Sequence, residues 1–85
     1  MVAKRPARIW WRKHRSVENQ LIALALVTEG PFGHFDVFLY APGPAGTRRI
    51  AEDGAVGGPG EAQQRADSLV FEILHHECVG CDGWV

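Results

Sequence analysis

The chain has 85 residues, is 46% hydrophobic and carries a net charge of −1, which makes it one small globular domain and excludes wholesale disorder. Its longest apolar run, residues 21–27, falls far short of the roughly 20 residues needed to cross a bilayer as a helix. A domain this small has a modest core and gains from a dimer interface or a bound metal.

The charge is unevenly spread. Lys4, Arg5, Arg8, Arg12, Lys13 and Arg15 open the chain with no acid among them, and Arg48, Arg49 and Arg65 are set against all ten acids. Such polarity suits a basic patch that meets an anionic partner, or a basic strand lying beside its own acidic helix. The basic start before an apolar run is not a signal peptide: the run is too short, lies too far in and is preceded by Trp10, Trp11, Glu18 and Asn19. The expected setting is cytoplasmic, where Cys78 and Cys81 are thiols or ligands rather than a structural disulfide.

Residues 1–6 are expected to be a flexible start, with Pro6 discouraging regular structure. Residues 7–15 read as a strand with Ile9, Trp11 and Lys13 on its core face and Arg8, Trp10, Arg12 and His14 opposite. Ser16 could cap a helix running on to Leu26, since Leu, Ala and Glu favour helix. Against that, residues 21–28 alternate by size, with Ile22, Leu24 and Leu26 on one side and Ala23, Ala25 and Val27 on the other. The run also ends at the turn signal Glu29-Gly30-Pro31, so strand is the better reading.

Residues 34–40 form the clearest strand, with Phe35, Val37 and Leu39 alternating with Asp36, Phe38 and Tyr40. Pro42-Gly43-Pro44-Ala45-Gly46 breaks the chain, and residues 47–52 fit a short edge strand with Arg48 and Arg49 exposed. Gly57-Gly58-Pro59-Gly60 leads into a helix, with Pro59 or Glu61 in its first turn. Ala62, Ala66, Leu69, Val70, Ile73 and Leu74 recur on one face of that helix, which is expected to reach about Glu77 before Gly80. Residues 79–85 are expected to be a flexible tail.

The expected fold is a single α+β domain, an antiparallel three- to four-stranded β-meander packed on one C-terminal α-helix in two layers. Its core comprises Ile9, Trp11, Ile22, Leu24, Leu26, Phe35, Val37, Leu39, Ala66, Leu69, Val70, Ile73 and Leu74. Trp10, Phe38 and Tyr40 then fall on the uncovered sheet face, and three aromatics there suggest a partner interface.

Three stretches carry possible chemistry. In His75-His76-Glu77-Cys78-Val79-Gly80-Cys81-Asp82, the residues His75, Cys78 and Cys81 recur at intervals of three. Thiolates and imidazoles at that spacing suit half of a zinc site, with the fourth ligand to come from His34, His14, Glu77 or Asp82. The bland alternative is free thiols and exposed histidines at a helix end, and it is preferred because no second half-site is present. A thioredoxin-type pair would open a helix rather than follow one, and the zinc-deaminase pattern is missing. The basic aromatic stretch holds Arg8, Trp10, Arg12, Lys13 and Arg15, a combination that can track phosphates and stack on bases. Its alternative is a strand whose arginines pair with the protein's own acids. The glycine-rich stretch before the helix lacks the Lys-Ser/Thr of a P-loop and reads as a linker.

No nucleophile motif surrounds Ser16 or Ser68, and His75-His76-Glu77 is not the HExxH of a zinc hydrolase. The expectation is a non-enzymatic binding module without a cofactor, forming a homodimer. A nucleic-acid-binding accessory protein and a small zinc-binding protein are the alternatives.

Overall fold

A computed structural model describes residues 8–30, 33–76, 81 and 83–85 of the chain. Four strands, β1 (Ile9–Arg15), β2 (Leu21–Glu29), β3 (Phe35–Gly43) and β4 (Gly46–Val56), precede one helix, α1 (Pro59–Leu74). The strands form an antiparallel sheet in the order β1-β2-β3-β4, and α1 lies across one face, chiefly over β2 and β3. This is the two-layer α+β meander expected from the sequence. Among the described residues no helix is long and apolar enough to cross a membrane.

The turns follow from local chemistry. Ser16 does not cap a helix; its Oγ accepts hydrogen bonds from the backbone N–H groups of Glu18 and Gln20, and Asn19 takes the left-handed conformation that closes the β1–β2 connection. The Pro42–Gly46 stretch interrupts the sheet less than expected. β3 runs on to Gly43, Gly43 pairs with Gly46, and Gly46 at φ 110° takes up the tight reversal that a side chain would resist. β4 is accordingly longer than residues 47–52.

Helix α1 starts with Gly58 as N-cap and Pro59 in the first turn, Glu61 placing an acid at the positive end of the helix dipole. It stops at Leu74, short of the expected Glu77, because His75 turns left-handed at φ 52° and donates its N–H to the Phe71 carbonyl. Ala62, Ala66, Leu69 and Val70 are buried, while Leu74 is half-buried and Ile73 exposed.

The sheet faces differ from the expectation in two of four strands. The buried residues of β2 are Ala23, Ala25 and Val27, and those of β3 are Phe35, Val37 and Leu39. Ile9 and Trp11 are exposed, and Leu24 and Leu26 lie on the face away from the helix. Ala23 and Ala25 are buried in one cluster with Ala62 and Ala66 of α1 and the larger Val27, Phe35, Val37 and Leu39, so the small residues of β2 rather than its leucines share the filled space under the helix. Because side chains alternate with period 2, that choice fixes the phase of β1 as well. Trp10, expected on the uncovered face, instead packs into the core with its ring 5.9 Å from that of Phe35.

Candidate functional site

Two regions of the fold carry unusual side chains: the end of β1 where the tail returns, and the sheet face that α1 leaves uncovered.

Cys81 and residues 83–85 lie along the outer edge of β1, in antiparallel sense to it. Val85 and Trp11 exchange backbone hydrogen bonds of 3.0 and 3.2 Å. Four residues earlier in the tail, and four later in β1, the Arg15 N–H donates to Cys81 Sγ at 3.4 Å and the Cys81 thiol lies 3.7 Å from the Arg15 carbonyl. Trp84 packs against the core. The last residues are thus laid over an edge that would otherwise offer unpaired backbone groups.

At this corner His14, His76 and Cys81 converge, with one ligand atom of each within 4.8 Å of the others. His14 comes from β1, on the helix side of the sheet, and is wholly buried. His76 follows the left-handed turn at His75, which swings the chain back over β1; its ring meets that of His14 edge-on at 5.7 Å. His76 Nε2 lies 3.2 Å from Cys81 Sγ. Asp67 of α1 completes the surroundings: Oδ2 accepts a hydrogen bond from Arg12 at 3.0 Å, and the buried Oδ1 lies 3.6 Å from His14 Nε2. Burial pushes the His14 pKa down to about 4, Asp67 opposing and Arg12 and His76 assisting that shift. His14 is therefore a neutral imidazole near pH 7, the form that carries a lone pair.

Of the residues singled out for metal, Cys81 is in this cluster. His75 is exposed at the helix end, and Cys78 lies outside the described residues, as do Glu77 and Asp82. His34 is exposed beside the β2–β3 connection and is not a member. His14 and His76 take the places that the interval-of-three pattern assigned elsewhere. The register of β1 supplies His14, and no sequence interval encodes that.

The basic stretch is divided between the two faces. Arg8 pairs with Glu29 and stacks over Trp10, and Arg12 is turned toward Asp67. Arg15 donates to the Asn19 carbonyl at 3.5 Å, while Lys13 is exposed on the uncovered face.

The uncovered face has two central cross-strand rows. One is Trp11, Leu26, Phe38 and Glu52; the next is Lys13, Leu24, Tyr40 and Arg49. Ile9 extends the apolar area. Arg49 lies over the Phe38 ring at 5.7 Å and 3.6 Å from Glu52, both charged groups remaining largely exposed.

The chain matches no protein-family model, no curated protein and no solved structure.

Proposed function

We propose that the protein is a non-enzymatic binding module that works as a homodimer, two copies meeting through the uncovered sheet faces. The observation that carries this reading is the pair of rows on that face, in which Trp11, Leu24, Leu26, Phe38 and Tyr40 make one apolar field with charges at its margin. A two-layer fold ordinarily hides such a field against a further layer.

A second copy suits the charge pattern. A two-fold axis running across the strands, midway between the rows, sets each row on the other. Glu52 then meets the partner's Arg49, Lys13 meets the partner's Trp11, and leucines and aromatics meet their like. Such self-complementarity is what an isologous interface requires. With strands about 4.8 Å apart and about 3.4 Å of rise per residue, the face offers roughly 450 Å² of projected area per copy. That is a small interface, so the dimer is a weak one, with a dissociation constant expected on the order of micromolar.

An interaction role also fits the chemistry at the other corner. His14 is sealed from solvent, so no substrate reaches it. The nucleic-acid alternative is less favoured, because Arg8 and Arg12 are engaged with Glu29 and Asp67 and Trp10 is packed in the core. The expected setting remains the cytoplasm, where Cys81 stays reduced.

Sedimentation equilibrium of the full chain tests the reading. Wild type should fit a monomer–dimer equilibrium in the micromolar range, and Phe38→Glu should be monomeric with an unchanged circular dichroism spectrum. Arg49→Glu should weaken association and Arg49→Glu with Glu52→Arg should restore it. A wild-type protein monomeric at several hundred micromolar sinks the proposal.

A further inference from the structure

We propose that His14, His76 and Cys81 form a binding site for a zinc-class divalent cation that fastens the end of the chain to β1. It is independent of the dimer reading and uses the opposite face of the sheet.

The donor set is one thiolate and two imidazoles, which selects zinc and cobalt over magnesium or calcium. Zinc–ligand bonds of 2.0–2.3 Å in a tetrahedron separate neighbouring ligand atoms by about 3.3–3.8 Å. The 3.2 Å between His76 Nε2 and Cys81 Sγ and the 4.8 Å limit on the whole group are close to that spacing, so side-chain rotations suffice. The three ligands come from β1, the segment after α1 and the tail, so a metal here joins three parts of a small domain.

The surroundings match those of a metal site. The Arg15 N–H already points at Cys81 Sγ at 3.4 Å, an outer donor of the kind that orients a ligand sulfur. Asp67 Oδ1 lies 3.6 Å from His14 Nε2, just outside hydrogen-bond reach; closing that gap as Nδ1 takes the metal gives the carboxylate–histidine–metal arrangement. Arg12 fixes the other oxygen of Asp67. On binding, Cys81 gives up its thiol proton to solvent while both imidazoles coordinate neutral, so uptake releases a proton and weakens as pH falls.

The test is titration of the chelator-treated full chain with cobalt chloride and, by competition, zinc chloride. The expected result is one cobalt per chain, with intense visible bands of tetrahedral geometry and a sulfur-to-metal charge-transfer band. Cys81→Ser should abolish the charge-transfer band, and His76→Gln should weaken cobalt binding at least tenfold. Asp67→Asn should weaken it about 10- to 100-fold, as loss of a ligand-orienting carboxylate does. His75→Gln should bind as wild type does. Because His14→Gln could fail to fold, the partly exposed His76 and Cys81 carry the test. No cobalt uptake, only the weak bands of six-coordinate cobalt, or binding lost in His75→Gln but kept in His76→Gln would overturn the proposal.

Discussion

His14 shows how strongly position changes a side chain. In an unfolded chain it titrates near 6.5, and burial in the folded protein lowers that to about 4. The groups facing it are Asp67 from α1, Arg12 from its own strand, and His76 and Cys81 from the returning chain. A lowered native pKa means that the unfolded state binds the proton first. Its contribution is therefore complete above pH 6.5 and is lost as pH falls from there to about 4, a loss on the order of 3 kcal/mol. In chelator-treated protein the His14 ring resonances should titrate near pH 4, with the denaturant midpoint falling over the same interval. A His14 midpoint near 6.5 would show that the ring is not buried as described. Arg65 and Asp53 make the contrasting case. Their 2.8 Å pair holds Asp53 below the usual carboxylate range, but both groups are well exposed, and solvent screening leaves such a pair little to contribute.

The helix and the sheet meet across a core of mixed size, Ala62, Ala66, Leu69 and Val70 of α1 being buried with Ala23, Ala25 and Val27 of β2 and Phe35, Val37 and Leu39 of β3. The strand order and α1 were legible, because β3 alternates cleanly and α1 repeats at helical spacing. The phases of β1 and β2 were not, since both faces of each strand carry apolar residues and size alone favours the bulkier face as core. The small residues of β2 are the ones buried in one cluster with Ala62 and Ala66, and in a close-packed interior the bulkier face of a strand need not be its core face. Ala66→Leu should overfill that contact and cost about 1–3 kcal/mol, although it adds apolar surface. Leu69→Ala should cost about 2–5 kcal/mol. Ile73→Ala, at a side chain 42% exposed, should cost much less. Equal shifts in unfolding midpoint for Leu69→Ala and Ile73→Ala would mean that α1 is rotated from the orientation described. The candidate site was partly legible for a similar reason. His14 and Cys81 could be named as ligand types, but only the register of β1 and the left-handed turn at His75 bring them to one corner.

Over the whole molecule, the separation of charge along the sequence is partly cancelled in space. Arg8 lies on Glu29 and Arg12 on Asp67, so part of the basic opening segment serves to hold β1 against its own neighbours. No retention on DNA or RNA is expected even at low salt, because net affinity for a polyanion needs several uncommitted cations on one surface. Retention that weakens steeply with salt, and again in Lys13→Ala, would revive the nucleic-acid reading.

What remains unbalanced is the apolar sheet face, and the account rests on a second copy covering it. Isotope-filtered nuclear Overhauser spectra of a mixed labelled and unlabelled sample at about millimolar concentration, well above a micromolar dissociation constant, test this most directly. Contacts between copies are expected from the Leu24 methyls to the Leu26 methyls and from the Phe38 ring to the Tyr40 ring. Intermolecular contacts confined to β4, or none in a sample saturated by concentration, would contradict it.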